Sequence, residues 1–237
     1  MKHLDLFAGL GGFSLASDWL GIETVGFCEI DPWCRRVLLK HWPNVPQHDD
    51  IRTLTGDALR RFGPVDLITG GFPCQPVSLA GQRRGVADDR ALWPDMRRVI
   101  DECRPTYVMA ENTYGLVSMG LDQTLADLET DGYACRTVCI PALALDAQHR
   151  RERVWVISHA TGVFRKEIER VEQNGILPRL ESTRPIVDER RWWPTEPRMD
   201  RVAHGVSKRV ERLTGLGNAI VPQVAYEILR VMIGETA

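Results

Sequence analysis

The sequence lacks a long hydrophobic run, a zinc-type cysteine pattern and a strong excess of either charge. No apolar stretch approaches the roughly 20 residues of a membrane helix, which excludes a protein that crosses the membrane through helices. An acid, Asp5, stands where a signal peptide would be apolar, so we expect a cytoplasmic location. With 237 residues, 43% of them hydrophobic, the chain can bury a sizeable core in one main domain.

The six cysteines form no pair of CxxC units and no Cys/His set with the spacing of zinc ligands. A bound metal is therefore not expected, and in a reducing compartment the cysteines are free thiols. Cys74 stands apart because Pro73 precedes it in a glycine-rich and proline-rich stretch. We expect the other five to be small buried apolar residues: Cys28, Cys34, Cys103, Cys135 and Cys139.

The net charge of −2 hides an uneven distribution. Residues 146–213 carry 15 Lys and Arg against 11 Asp and Glu, and 13 of those 15 cations are arginines. Arginine suits bidentate contacts with phosphates and base edges, which points to a nucleic acid. A solvated surface laced with salt bridges is the alternative, and charge alone favours it.

Apolar runs of strand length alternate with amphipathic helical patterns along most of the chain. This alternation predicts an α/β fold, a Rossmann-like doubly wound and mainly parallel sheet that binds its ligand at the carboxyl ends of its strands. Between residues 160 and 205 the periodicity weakens and four prolines interrupt it, which predicts a small irregular lobe. The strand patterns are residues 2–7, 24–29, 65–69, 107–110 and 154–157, and the helical patterns are 91–103, 121–130 and 218–232.

The first motif with chemical content is a glycine turn directly after a strand, DLFAGLGGF at residues 5–13. Such a turn lets a cofactor approach a helix N-terminus, although glycine turns also serve packing alone. Glu29 ends the next strand, 18 residues past Gly11, where an acid can accept both ribose hydroxyls. Asp50 follows a third strand and is placed to accept an adenine amino group. Each acid alone would more often be a helix cap, but the three elements together indicate a nucleoside cofactor.

The second motif, GGFPCQPVS at residues 70–78, places Cys74 in a loop at the carboxyl end of a strand. A thiolate is a natural nucleophile there. Glu111 closes another strand at the same sheet edge, and Arg151 and Arg153 enter a later strand on one face. Separately, these residues could be a strand-end cap and a surface ladder of cations. Together they predict a nucleophile, an acid and two cations beside the nucleoside pocket.

These motifs resemble those of the cytosine-C5 DNA methyltransferases, and they occur in that family's order. The resemblance covers residues 1–159 and 206–233. It implies a catalytic domain formed by residues 1–159 and 206–237, with a short target-recognition region at 160–205. The matching motifs are DLFAGLGGF (5–13), Glu29, GGFPCQPVS (70–78), Glu111-Asn112, RRERVWVIS (150–158) and GNAIVPQVA (217–225).

The resemblance also implies a role for each matching residue. Cys74 would attack C6 of cytosine, Glu111 would bind N3 and the exocyclic amino group, and Arg151 and Arg153 would position loop, acid and base. The cofactor would be S-adenosylmethionine, leaving as S-adenosylhomocysteine, with no metal. Its contacts would be Phe7, Leu10, Gly11, Glu29, Asp50 and Leu92, with Asn218 bracing the same pocket.

The implied partner is double-stranded DNA, from which the target cytosine is flipped while a loop at residues 75–89 closes over it. We expect a monomer with no membrane contact, and a cognate restriction enzyme is a candidate partner in the host. The short recognition region predicts a short or degenerate target. Two other functions remain open: an RNA (tRNA) cytosine-C5 methyltransferase and a catalytically silent DNA-binding relative.

Overall fold

The computed structural model describes residues 1–73, 92–145, 151–161 and 218–234. Its seven strands are β1 (Lys2–Leu6), β2 (Glu23–Cys28), β3 (Gln47–His48), β4 (Leu67–Gly70), β5 (Tyr107–Thr113), β6 (Tyr133–Pro141) and β7 (Glu152–Ala160). They form one sheet in the order β3-β2-β1-β4-β5-β7-β6. Strands β1 to β5 are parallel, whereas β7 runs antiparallel to both of its neighbours, β5 and β6.

Helices cover both faces of this sheet. One face packs on the helices Gly56–Arg60, Trp93–Cys103 and Leu121–Thr130. The other face packs on the helices Gly12–Trp19 and Pro222–Met232. This arrangement confirms the predicted doubly wound, mainly parallel α/β fold. The helices are α1 (Gly12–Trp19), α2 (Pro32–His41), α3 (Gly56–Arg60), α4 (Trp93–Cys103), α5 (Leu116–Met119), α6 (Leu121–Thr130) and α7 (Pro222–Met232), with 3-10 turns at Ile51–Thr53 and Ala142–Leu145.

The strand β5 shows why the sheet is buried on both faces. Its residues Tyr107 and Met109 join the core on the α1 and α7 side, whereas Val108 and Ala110 join the core on the opposite side. Successive strand residues point to opposite faces, so a continuous apolar run can fill two cores at once. Strand β5 is therefore buried from Tyr107 to Asn112, and its last residue, Thr113, is exposed.

The start of α2 is set by an aspartate followed by a proline. The Asp31 carboxylate accepts hydrogen bonds from the backbone N–H groups of Trp33 (2.7 Å) and Cys34 (3.0 Å), and Pro32 occupies the first turn. An aspartate cap followed by proline satisfies the free donors of a helix N-terminus. This cap fixes where α2 begins, directly after the strand that carries Glu29.

A chain of buried polar side chains crosses the sheet beneath α1. His3 bonds Thr24 (3.1 Å) on one side and Thr69 (2.7 Å) on the other, and Asp5 accepts from Thr69 (3.2 Å) and from Ser14 of α1 (2.8 Å). All five residues are buried. Burial lowers the pKa of His3 to about 3 and raises that of Asp5 to about 7.

Two features of the fold were not foreseen from the sequence. No strand was predicted at β6, and Cys139 on that strand is exposed, so its prediction as a buried thiol is wrong. Cys28 and Cys34 are buried as predicted, whereas Cys103 and Cys135 are only half-buried. Strand β6 lies at the edge of the described sheet, where its faces are only partly covered.

The predicted loop 75–89, and all but the first two residues of the predicted lobe 160–205, lie outside the described residues. Among the helices of the described ranges, none has the length and apolarity to cross a membrane.

Candidate active site

A cavity of about 440 Å³ opens at the carboxyl edge of the parallel strands. Each of the strands β1 to β5 contributes residues that lie at or just past its carboxyl end. Because β7 is antiparallel, its amino end reaches the same edge. The lining residues are Phe7, Gly9, Cys28, Glu29, Ile30, Asp31, Cys34, Asp49, Asp50, Ile51, Arg52, Gly71, Phe72, Pro73, Leu92, Glu111, Asn112, Thr113, Arg153 and Asn218.

Glu29 is held at the β2 end of this cavity by two backbone donors. Its Oε2 accepts from the N–H of Gly9 and its Oε1 from the N–H of Asp31, both at 2.7 Å. Burial raises the pKa of Glu29, and these two hydrogen bonds act against that rise. The carboxylate thus joins the glycine turn to the start of α2, and each oxygen keeps a lone pair that a ribose hydroxyl could use.

Asp50 lines the cavity but already has a cationic partner. The Arg52 side chain donates to Asp50 through Nε (2.9 Å to Oδ1) and through Nη2 (2.6 Å to Oδ2). The backbone N–H of Arg52 also donates to Oδ1, at 3.0 Å. The hydrogen bonds from Arg52 lower the pKa of Asp50. Asp50 is therefore an ionised acceptor whose orientation is set by Arg52, and its predicted contact with an adenine amino group stays a prediction.

The glycine turn divides between cavity and core. Phe7, with a φ of +53°, and Gly9 line the cavity, whereas Leu10 and Gly11 are not among the lining residues. Gly11 has a φ of +80°, and a Cβ there would lie 2.6 Å from Cζ3 of Trp42. The backbone at Gly11 is therefore pressed against an aromatic ring, which makes it a packing position next to the cavity.

Glu111 lies at the other side of the cavity, nearly buried beside cations. Arg153 Nε is 2.8 Å from its Oε1, and a Cβ on Gly71 would lie 3.4 Å from its Oε2. Burial raises the pKa of Glu111, and the charges of Arg153 and Arg151 act against the rise. One carboxylate oxygen is thus bound by arginine while the other faces Gly71.

Arg151 reaches a different partner from Arg153. It precedes β7, adopts a φ of +32°, and donates through Nη2 to the carbonyl of Ala219. It is not among the lining residues, whereas Asn218, next to its partner, is. Arg151 therefore links the amino end of β7 to the segment before α7. The sequence predicts that Arg151 and Arg153 share one strand face, but Arg151 lies just before the strand begins.

Asn112 connects β5 to the segment that leads to Cys74. Its amide nitrogen donates to the carbonyl of Phe72 at 2.9 Å, and both residues are buried. Phe72 also packs on Trp93 at the start of α4, with ring centroids 5.3 Å apart. Cys74 itself lies outside the described residues, one position past Pro73, which lines the cavity.

Sequence reasoning missed several lining residues, among them Ile30, Cys34 and Arg52. A usable signal was their position within a few residues of a strand's carboxyl end. Burial raises the pKa of the Cys28 and Cys34 thiols to about 12, which disfavours the thiolate form of both. No group of three or more potential metal ligands occurs in the ranges that the structure covers.

Fold and site together define a doubly wound α/β protein whose candidate site lies at the carboxyl edge of its sheet, with acids at both ends. The chain belongs to the C-5 cytosine-specific DNA methylase family, whose sequence model matches residues 1–193. The match includes every predicted site residue except Asn218.

Curated relatives support the same family. The chain is 31% identical over 161 residues to the Type II methyltransferase M.HgiCII of Herpetosiphon aurantiacus, covering 66% of this chain and 36% of that protein. It is 35% identical over 170 residues to M.PspPI of a Psychrobacter species (69% and 40%), and 30% identical over 162 residues to M.HhaI of Haemophilus parahaemolyticus (66% and 48%). The chain thus spans less than half the length of each.

Solved structures share the fold. The S. pombe Dnmt2 methyltransferase has a TM-score of 0.60 at 23% identity, over 73% of this chain and 55% of that chain. A DNMT2 variant from Spodoptera frugiperda has a TM-score of 0.58 at 20% identity, over 68% and 50%.

Proposed function

We propose that the chain transfers a methyl group from S-adenosylmethionine to C5 of cytosine in duplex DNA. The observation that carries this proposal is the pairing of Glu111 with Arg153 in one cavity with Glu29 and Asp50. Such a cavity has acceptors for a nucleoside at one end and a cation-bound acid at the other. The family assignment supports the same reaction.

The residues at the β1 to β3 end fit the adenosine part of the cofactor. Glu29 would accept from the ribose hydroxyls, Asp50 from the adenine amino group, and the apolar side chains of Phe7, Ile51 and Leu92 would face the purine. Asn218 would close the same end, while Leu10 and Gly11 would support the turn from behind. S-adenosylmethionine, when bound, supplies an electrophilic methyl group.

The residues at the β4 and β5 end would act on the base. The Cys74 thiolate adds to C6 of a flipped cytosine, and Glu111 holds a proton at N3, so that electron density moves to C5. Arg153 orients the Glu111 carboxyl group, and Arg151 supports the wall behind it. After methyl transfer, the C5 proton leaves to a base and the bond between Cys74 Sγ and C6 breaks, which regenerates the thiolate.

A direct assay separates this function from its alternatives. The protein is incubated with labelled S-adenosylmethionine and either duplex DNA or tRNA. Label in DNA alone supports the proposal, and label in tRNA alone indicates an RNA cytosine methyltransferase. DNA binding without any label indicates a catalytically silent relative, although intact Glu111 and Arg153 favour an active enzyme. The family description, a DNA methylase, favours DNA over RNA.

The covalent step has its own test. Duplex DNA with 5-fluorocytosine at the target should trap a protein–DNA adduct, because fluorine cannot leave as a proton. Cys74→Ala should form no adduct and lose several orders of magnitude in rate. Cys139→Ala, at an exposed position of β6, is the matched control and should behave as wild type. A Cys74→Ala protein with the wild-type rate would overturn the covalent mechanism.

The partners of the reaction are also proposed. Residues 160–205 would read the target, and their small number favours a short or degenerate recognition sequence with salt-dependent binding. We propose a monomer that works in the cytoplasm without metal or membrane. A cognate restriction enzyme would be its counterpart in a host that uses methylation to protect its own DNA.

A further inference from the structure

The wall of the cavity that carries Asp50 and Ile51 has little support from the sheet, although Ile51 and Leu54 pack in the core. It follows β3, which has only two residues and pairs with β2 through two register positions at the edge of the sheet. A single 3-10 turn, Ile51–Thr53, then leads away from the sheet. A strand this short cannot by itself hold a side chain in a fixed position.

Arg98 of α4 reaches across and binds this turn. Its Nη2 donates to the carbonyl of Ile51 at 2.6 Å and its Nη1 to the carbonyl of Leu54 at 2.8 Å. These carbonyls stand at the two ends of the turn. The planar guanidinium therefore fixes both ends at once, which a flexible ammonium group cannot do.

Acids on the same helix keep the Arg98 side chain extended toward the turn. Glu102 accepts from Nη1 at 2.9 Å, and Asp95 lies 3.7 Å from Nη2. Glu102 also accepts from the N–H of Gly56, just past the turn, at 2.8 Å. Arg98 is thus the centre of a network that joins α4 to residues 51–56.

The same helix begins at the cavity. Leu92, the residue that precedes α4, lines the cavity, as do Asp50 and Ile51 on the turn that Arg98 holds. Helix α4 therefore supports two walls of the nucleoside end, one directly and one through Arg98. Arg98 thus bridges the turn that carries Ile51 and the helix that Leu92 precedes.

We propose that Arg98 is a positioning residue for the nucleoside pocket, which fixes the Asp50–Ile51 wall at the distance from Leu92 that an adenine ring requires. Arg98 does not touch the cofactor, since it is absent from the cavity lining, and it acts through the backbone of Ile51 and Leu54. This inference rests on the proposed use of S-adenosylmethionine. It adds a residue that none of the recognised motifs contains.

Calorimetry with S-adenosylhomocysteine tests the proposal without turnover. Arg98→Met keeps the apolar stem but removes the donors, and should raise the Kd by about tenfold. Arg98→Lys, which can reach one carbonyl but not both, should give an intermediate Kd. Arg104→Met is the control, because Arg104 also lies at α4 but is exposed and pairs with Asp101 away from the cavity. It should bind as wild type does.

Kinetics separate positioning from a merely structural role. Arg98→Met should raise KM for S-adenosylmethionine about tenfold while kcat at saturating cofactor stays near that of wild type. A structural role would lower the active fraction, and hence kcat, and leave KM unchanged. If Arg98→Met does not fold, Arg98→Lys decides the matter, because a wild-type Kd in that variant would overturn the two-carbonyl argument.

The outcomes also distinguish this inference from the proposed function. If wild type binds S-adenosylhomocysteine and Arg98→Met binds it equally well, the role of Arg98 is overturned while the cofactor assignment stands. If wild type binds none, the proposed function fails and the inference about Arg98 fails with it.

Discussion

Glu111 of β5 and Arg153 of β7 form an ion pair where the parallel part of the sheet meets its antiparallel strand, with Arg153 Nε 2.8 Å from Glu111 Oε1. Glu111 is paired in register with Trp155, so the contact to Arg153 is diagonal across the two strands. An antiparallel partner is what brings a strand's first residues beside the last residues of β5. The ion pair between Glu111 and Arg153 therefore depends on the antiparallel direction of β7.

The first prediction concerns the protonation of Glu111. Burial raises its pKa and Arg153 lowers it, so Arg153→Gln should raise it further. If Glu111 holds a proton at N3, the alkaline limb of the kcat/KM profile should move to higher pH in this variant. Arg153→Lys keeps the charge and should leave the limb near its wild-type position. An unshifted limb in Arg153→Gln would exclude Glu111 as the group that titrates there.

The second prediction concerns Glu29, whose oxygens accept from two N–H groups. In Glu29→Gln the amide must turn its NH2 toward one of these donors, so a hydrogen bond is lost and the glycine turn shifts. The Kd for S-adenosylmethionine should rise about tenfold or more, since a charge-assisted hydrogen bond contributes roughly 1.5–3 kcal/mol.

Glu23→Gln is the matched control for Glu29. Glu23 begins the same strand, is exposed, and pairs with Lys2 far from the cavity. Calorimetry should find wild-type affinity in this variant. An unchanged Kd in a folded Glu29→Gln protein would remove Glu29 from the cofactor site.

The third prediction compares two glycines with similar backbones. Gly11 (φ +80°) and Gly21 (φ +66°) both adopt left-handed geometry, so alanine costs about 1–2 kcal/mol at each. At Gly11 the new Cβ also meets Trp42, whose ring packs on Phe27 and donates through Nε1 to Asp18 at 2.8 Å. Gly11→Ala should therefore lose about 1–3 kcal/mol more than Gly21→Ala. Urea unfolding followed by circular dichroism measures both, and equal losses would contradict the steric argument.

The fourth prediction is a pH dependence of stability that originates at Asp5. Its folded pKa is about 7 against an ordinary value of 3.8, so the folded state binds more protons between these values. Stability from this group therefore falls as the pH rises from about 4 to 7 and stays low above that. Asp5→Asn, which can still accept from Ser14, removes the effect.

Relative to wild type, Asp5→Asn should gain stability as the pH rises from about 4 to about 7, as measured by urea midpoints. His3 contributes with the opposite sign, because its lowered pKa costs stability as the pH falls below 6.5 toward about 3. Both proteins keep His3, so its contribution cancels in the comparison. A difference in midpoint that does not change with pH would show that Asp5 does not titrate in this range.

Much of this fold could be predicted because its elements carry local signals. Strand β1 ends in a glycine turn, α2 begins with Asp31-Pro32, and α4 and α6 repeat apolar residues at helical spacing. Strand β6 has no such signal, since most residues of this edge strand are half-buried or exposed and their burial does not alternate along the strand. Nothing local encodes the direction of β7 either, because strand direction depends on connections made elsewhere in the chain.

In the candidate site, too, some features could be predicted from the sequence and others could not. Glu29, Asp50 and Glu111 could be placed at one edge because each follows a strand, and the carboxyl ends of parallel strands meet. The pairing of Asp50 with Arg52 could not, because it depends on the conformation of a 3-10 turn. Arg98 is further removed, since its role depends on two carbonyl groups more than forty residues away in the chain.

The segment that precedes α7 has a consequence for how the protein is made. Ile220 packs closely against Gly12, because a Cβ built on Gly12 would lie 2.5 Å from Cγ1 of Ile220. The carbonyl of Ala219 accepts from Arg151, and Asn218 lines the cavity. One wall of the cavity is thus contributed by a part of the chain that the ribosome releases long after the glycine turn. Since domains fold as units during synthesis, a nascent chain that lacks this segment has an open pocket, and the cavity is complete only once α7 has docked on α1.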